Sequence, residues 1–335
     1  MPLTDLPLED LLTYRGEVAE PADFDEFWVD SLEQARAHDI DVARTPVTGH
    51  GLARLEVEDV RFSGWGGQRI AAWLVRPRGE QGPLPIVVHV QGYSQGRGVP
   101  VQHTQWAAAG FAHLVVDSRG QGHDTPDAGS PETTGSYVGG VMTKGIEDPR
   151  HHYFRRAMVD CARAVDAAHA LDGVDGRRVV VAGGSQGGGF TLAAAGLCGD
   201  AVAAALPDVP FLCHYRRGAE TASAGPYLEV VEYLRRHTRT SVEQAFRTLA
   251  YVDAANLAVR ATAPALFSVA LMDPVCPPST VFAAYARYGE AVQAVGREVD
   301  KEIAVWPFGD HAGGGADQFA RQLQWLGARG FLPGS

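Results

Sequence analysis

The 335-residue sequence predicts an α/β protein with a mostly parallel central sheet flanked by helices. Three observations carry this. Leu84–Val90 (LPIVVHV), Phe111–Val116 (FAHLVV) and Arg178–Ala182 (RVVVA) are almost wholly apolar, as strands covered on both faces must be. Helical stretches, Gln102–Ala109 and His151–Leu171, alternate with them. The third run then leads through a glycine-rich turn into an Ala/Leu-rich helix over Arg177–Leu197 (RRVVVAGGSQGGGFTLAAAGL).

Taken in order, residues 1–50 precede the sheet. DEFWVDSLEQARAH reads as a helix with Asp23 as its cap and Phe27, Leu32 and Ala35 on one face, strapped across the sheet domain. Phe24, Phe27 and Trp28 read as core or intersubunit packing. Residues 52–62 alternate polar and apolar, Gly64–Gly67 is a turn, and Arg69–Arg76 returns, so a hairpin opens the sheet. After the glycine-rich turn, Ala201–Leu206 is the sixth strand. The segment 211–250 breaks the rhythm with two or three short amphipathic helices, an insertion expected to form a lid or an oligomerisation surface. Ala265–Leu271 resumes the sheet, Ser279–Val292 is a helix, Glu302–Trp306 the last strand and Ala316–Ala328 the closing helix. The whole chain, 1–335, reads as one elaborated domain without repeats.

Composition narrows the function. With 29 basic and 40 acidic residues the formal charge is −11, which disfavours nucleic acid and anionic membranes as partners. Cys161, Cys198, Cys213 and Cys276 lie far apart and read as reduced core or site-lining residues. The N-terminus is acidic where a signal peptide needs positive charge, and no apolar run reaches spanning length; a cytoplasmic protein is expected. His89, His113, His123, His151 and His152 lack a metal-ligand spacing, and the pair His151-His152 reads as surface or loop packing. Gly183–Gly189 holds neither a dinucleotide fingerprint nor the Lys-Ser/Thr of a phosphate loop. No cofactor and no metal are expected.

The chemistry gathers around Ser185. Gly183-Gly184-Ser185-Gln186-Gly187 matches G-x-S-x-G, the pattern of a strained strand-to-helix turn that lifts a serine hydroxyl out of the sheet edge. Such a serine needs a base, and an imidazole base needs an orienting carboxylate. In an α/β-hydrolase these follow in the order Ser, Asp, His, each beyond a strand. Asp273 follows ALFSVAL and His311 follows IAVWPF, so Ser185, Asp273 and His311 are the catalytic candidates. Asp310 is adjacent to His311, but neighbouring carboxylates usually point elsewhere. The backbone N–H of Gln186 would face a developing oxyanion, and that of Tyr93, beyond the 84–90 strand, is the second donor. The Tyr93 ring could wall the acyl site, and Pro210 is expected beside it as a substrate-binding residue.

Together these residues resemble the acetyl xylan esterase/cephalosporin C deacetylase family of α/β-hydrolases, carbohydrate esterase family seven. The resemblance runs along nearly the whole chain: LEDLLTYRGEVAEPADFDEFW, HVQGYSQGRG, DSRGQG at Asp117–Gly122, GGSQGGG, DPVCPPST at Asp273–Thr280, and His311. It implies the Ser185–Asp273–His311 triad, an oxyanion hole from the Tyr93 and Gln186 amides, and a supporting role for the Arg119-Gly120-Gln121 loop. It further implies a serine esterase acting on acetylated xylo-oligosaccharides, cephalosporin C and other small acetyl esters. Its members are typically intracellular hexamers, trimers of dimers, so a homo-oligomer is expected. The family histidine is usually followed by glutamate; here Ala312-Gly313-Gly314-Gly315 follows, a looser and less acidic loop on this reading. Arg216, Arg217, Arg235 and Arg236 would admit an anionic ester if they faced the site, solvent being their ordinary destination. Two alternatives share these features: a serine hydrolase of another acyl group, lactone or amide, and a non-catalytic binding protein on the same fold.

Overall fold

Side chains of successive strand residues point to opposite faces, and in the central strands this alternation divides the apolar interior in two. In the computed structural model, which describes residues 3, 5–80, 82–129, 139–237 and 242–332, Ile86, Val88, Val179 and Val181 enter one core while Val87, Val180 and Ala182 enter the other. Residues 1, 2 and 4 of the N-terminal segment, 238–241 of the 211–250 segment and 333–335 of the 1–335 domain lie outside the described residues.

The chain opens with α1 (Leu8–Leu11) and α2 (Phe24–Arg36), followed by β1 (Ala43–Pro46), β2 (Leu55–Ser63) and β3 (Arg69–Pro77). The alternating half follows as β4 (Leu84–His89), α3 (Gln105–Ala108), β5 (Ala112–Val116), α4 (Tyr153–His169), β6 (Val174–Gly184), α5 (Gln186–Cys198) and β7 (Ala204–Asp208). Next come the insertion helices α6 (Tyr215–Thr221), α7 (Tyr227–Arg236) and α8 (Val242–Tyr251), and the short α9 (Ala254–Ala258). The chain closes with β8 (Ala265–Ala270), α10 (Pro278–Arg287), α11 (Glu290–Ala294), β9 (Lys301–Trp306) and α12 (Gly315–Gly327).

Among the described residues nine strands form one sheet in the order β1-β2-β3-β5-β4-β6-β7-β8-β9. The hairpin expected over 52–76 pairs β2 with β3 antiparallel, and β3 joins β5 antiparallel; every pairing from β5 through β4 to β9 is parallel. The expected mostly parallel sheet is therefore present, with the antiparallel strands collected at one edge. The larger core lies under α2, α4, α5, α9 and α10; the smaller packs Trp106, Phe111, Trp325 and Leu326 from the α3 and α12 side. No helix among the described residues is long and apolar enough to cross a membrane.

Several elements differ from the sequence reading. β1 adds an edge strand, so the insertion follows the seventh strand rather than the sixth. The helix expected over 279–292 breaks after Arg287, where the chain turns at Tyr288 and Gly289. Asp23 precedes α2 without capping it, and accepts instead from the Tyr251 hydroxyl at 2.5 Å. Leu32 is only half-buried; the inner face of α2 is Phe24, Phe27, Trp28, Ser31 and Ala35. The Trp28 indole donates to the Tyr251 carbonyl at 2.9 Å, tying this helix to the end of α8. Of the surface or loop packing expected for His151-His152, His152 takes the loop packing. It is fully buried, donates to the Met142 carbonyl and caps α4 by accepting from the Phe154 N–H, and burial holds its imidazole neutral with a pKa of about 3.

Candidate active site

Open parallel sheets place ligands at the carboxyl ends of their strands, and the candidate residues gather there. Ser185 lies between β6 and α5 with φ 58° and ψ −121°, in a region that residues with a side chain rarely occupy. Small neighbours make this turn possible. A Cβ on Gly187 would lie 2.3 Å from the Val90 carbonyl, so only glycine lets α5 start this close to β4.

The loops beyond β8 and β9 bring the other two candidates to this serine. His311 Nε2 lies 3.0 Å from Ser185 Oγ, and its Nδ1 lies 2.8 and 3.1 Å from the two Asp273 carboxylate oxygens. A carboxylate only accepts, so Nδ1 carries the proton and Nε2 keeps a lone pair for the serine hydroxyl. Asp273 is itself held by the Val275 and Cys276 N–H groups, which donate to Oδ1 at 2.8 and 3.0 Å. Its side chain is wholly buried while the His311 ring is one-third exposed. The buried carboxylate thus orients the imidazole, whose other edge is open to solvent. Asp310 does not compete for this role: its Oδ1 accepts from the Ala312 N–H at 2.9 Å.

The loop after His311 is tighter than its sequence suggests. Gly313 and Gly315 donate to the Asp310 and Ala312 carbonyls at 3.0 Å each, and a Cβ on Gly314 (φ 90°) would lie 2.2 Å from the Trp306 ring. The glycine run packs on β9 and leads directly into α12.

Tyr93 stands in a turn beyond β4, where the Gln95 N–H donates to the Gly92 carbonyl at 3.2 Å. The Gln186 side-chain amide donates to that same carbonyl at 3.3 Å and to that of Gln91 at 3.3 Å. In a trans peptide the C=O and N–H point opposite ways, so a Gly92 carbonyl held inside the turn aims the Tyr93 N–H outward. Gln121 orients the system. It donates to Gln186 Oε1 at 2.8 Å and to the Tyr153 hydroxyl at 2.9 Å, and accepts from the Ser94 N–H at 2.7 Å. The Gln186 N–H lies in the first turn of α5, where the helix dipole adds positive potential.

Beneath this loop, Arg119 and Asp160 form a buried two-point ion pair with N–O distances of 2.5 and 2.7 Å. Removing one partner of such a pair leaves the other charge buried, at a cost of about 3–5 kcal/mol. The Arg119-Gly120-Gln121 loop therefore rests on a fixed base. Sequence reasoning missed Gln121 as the residue that orients Gln186, and no local pattern signals a contact across 65 positions.

Of the remaining candidates, Pro210 and Cys276 lie beside the site: the N–H of Phe211, next to Pro210, donates to the Ser185 carbonyl at 2.9 Å, and the Cys276 N–H holds Asp273. Pro210 is buried, its Cα close against Gly188 on α5. Arg216 pairs with Glu243 and Arg217 with Asp5, each at 2.8 Å, while Arg235 and Arg236 both pair with Glu232. Cys161, Cys198, Cys213 and Cys276 are free thiols. Asp273, Cys276 and His311 offer ligand atoms within 4.8 Å of one another. Their chemistry is that of an imidazole oriented by a carboxylate rather than a cation cage: Asp273 and His311 already bond each other, and burial raises the Cys276 thiol well above its ordinary pKa.

The family model for acetyl xylan esterase (AXE1) matches residues 1–329. The solved acetyl xylan esterase from Paenibacillus sp. R4 superposes with a TM-score of 0.89 at 37% identity, covering 96% of this chain and 99% of that one. Acetyl xylan esterase 1 from Thermoanaerobacterium sp. JW/SL YS485 gives 0.85 at 34% identity, covering 95% and 98%. Acetyl esterase Axe7A of Xylanibacter ruminicola is 29% identical over 269 residues, 78% of this chain; the chain spans 59% of that relative's length. On its matched length, its α/β-hydrolase sheet and these likenesses, this chain belongs to the acetyl xylan esterase family.

Proposed function

We propose that this protein is a serine esterase that removes acetyl groups from acetylated xylo-oligosaccharides and from other small acetyl esters, cephalosporin C-like compounds among them. The hydrogen-bonded series Asp273–His311–Ser185, mounted on a strained turn, carries the reading. Its relatives' names supply the acyl group and one class of alcohol.

The steps follow from the geometry. As Ser185 Oγ attacks the ester carbonyl, His311 Nε2 takes its proton, and Asp273 stabilises the resulting imidazolium. The Tyr93 and Gln186 N–H groups receive the oxyanion, each contributing about 3–4 kcal/mol to the transition state. His311 then returns the proton to the leaving alcohol. In the second half it activates water against the acetyl-enzyme, releasing acetate and Ser185. No cofactor enters these steps.

A series of p-nitrophenyl acetate, butyrate and octanoate tests the acyl preference. Acetate is expected to be the best substrate, with kcat/KM falling roughly tenfold or more by the octanoate, as a pocket shaped for a short acyl group requires. Preferred octanoate turnover would assign a different acyl class. Absence of fluorophosphonate labelling at Ser185 would remove the serine mechanism.

We also propose, from the family resemblance, a cytoplasmic homo-oligomer arranged as a trimer of dimers. Sedimentation velocity should give six times the chain mass; a monomer in solution would overturn it.

A further inference from the structure

Glu229 stands on α7, outside the Ser185–His311–Asp273 series, yet its half-buried carboxylate reaches the loop carrying Tyr93. The Tyr93 hydroxyl donates to this carboxylate, with oxygens at 2.8 and 2.9 Å, and the Met142 N–H donates to Oε2 at 3.3 Å. The phenolic oxygen in turn accepts from the Val141 N–H at 2.7 Å. The Tyr93 ring is therefore held at its tip by two separate segments, the insertion helix and the 141–142 loop. A phenol between a carboxylate acceptor and a backbone donor has little rotational freedom, and a bond to an ionised acceptor is about twice as strong as a neutral one.

The turn needs that tether. Ser94, directly after Tyr93, has φ 58°, a conformation that serine adopts only under constraint. On its other side the residue is glycine, which adds no stiffness to the Gly92–Tyr93 peptide. The bonds to the Gly92 carbonyl are long, at 3.2 and 3.3 Å. A peptide between a glycine and a strained serine is best fixed through the side chain of the residue between them. A Cβ on Gly140 would lie 2.2 Å from the Glu229 carboxylate oxygens, so the chain around residue 140 closes tightly over this contact.

We propose that Glu229 is a positioning residue for the oxyanion hole, fixing the Tyr93 N–H through the Tyr93 hydroxyl and so coupling the helical insertion to catalysis. The inference rests on the serine esterase reading above and assigns part of the 211–250 insertion a role in the chemistry.

The test compares Glu229→Ala, Glu229→Gln, Tyr93→Phe and the Glu229→Ala/Tyr93→Phe double variant with wild type on p-nitrophenyl acetate, with Ser185→Ala alongside. Glu229→Ala and Tyr93→Phe should each lower kcat roughly tenfold with KM within about twofold, since the donor acts on the transition state. The double variant should be no worse than either single one, because both remove the same bond. Glu229→Gln, which keeps an acceptor for the phenol, should recover to within about threefold of wild type. Tyr93→Phe removes a single oxygen and carries the test if Glu229→Ala does not fold. Single variants within twofold of wild-type kcat, or losses that multiply in the double variant, overturn the proposal. If Ser185→Ala is inactive while the other variants match wild type, this inference alone fails. If Ser185→Ala keeps wild-type turnover, the esterase reading fails and takes this inference with it.

Discussion

Ser185→Ala is expected to lower kcat for acetyl ester hydrolysis about a million-fold, the scale of losing the nucleophile in a serine hydrolase. The hydroxyl oxygen is the only heavy atom removed, and it is the atom 3.0 Å from His311 Nε2. Without it the imidazole has no proton to take and no acyl-enzyme forms; residual rate comes from the amides of the oxyanion hole acting on a water attack. Folding should survive. The turn is fixed by backbone bonds that alanine keeps: the Ser185 N–H donates to the Asp208 carbonyl at 3.0 Å, and its own carbonyl accepts from Phe211 and Gly189 at 2.9 and 3.1 Å. Steady-state kinetics with p-nitrophenyl acetate, together with a thermal melt, measures both. His311→Ala should lose a similar factor and the double variant hardly more, because the two side chains act as a unit. A Ser185→Ala rate within tenfold of wild type would sink the mechanism.

Much of this site is legible in the sequence because local chemistry dictates it. A β-branched run at Val179–Val181 must be a buried strand, Ala193–Ala195 must be helix, and small residues between them permit the sharp turn at Ser185. Asp273 and His311 are found by their place beyond strands whose apolar runs are equally plain. What escapes notice is set by distance or by exposure. β1 (ARTP) ends in proline, has no buried residue and forms only because β2 offers an open edge. α9 is five residues long and is started by Asp253, whose carboxylate accepts from the Ala255 N–H at 2.9 Å. Neither leaves a period in the sequence. The Tyr93–Glu229 bond spans 136 positions, and nothing near Glu229 separates it from other acidic residues on amphipathic helices. The burial of His152 is hidden for a related reason. A histidine at a helix start looks exposed until the chain near Met142 folds over it.

The same logic of buried partners makes the second large effect sharp. Asp273→Asn is expected to cut kcat about 10^4-fold while leaving the fold intact, the size seen when a triad carboxylate becomes an amide. An asparagine side chain can present either its oxygen or its NH2 group to His311, and here the backbone decides. The Val275 and Cys276 N–H groups both donate to Oδ1, so an amide nitrogen there would leave two buried donors facing another donor. The oxygen stays on that side and the NH2 turns toward His311 Nδ1, now 2.8 Å from a donor instead of an acceptor. Nδ1 must then accept, the ring proton moves to Nε2, and the nitrogen facing Ser185 Oγ has no lone pair for the serine proton. The base is lost by tautomer, with every heavy atom in place. Asp310→Asn provides the contrast, since among the described residues its carboxylate serves only the Ala312 N–H, and its variant should stay within about twofold of wild type. Kinetics on the two variants, with matching melting temperatures, separate the cases. If Asp273→Asn keeps a tenth of the wild-type rate, His311 is oriented by some other group.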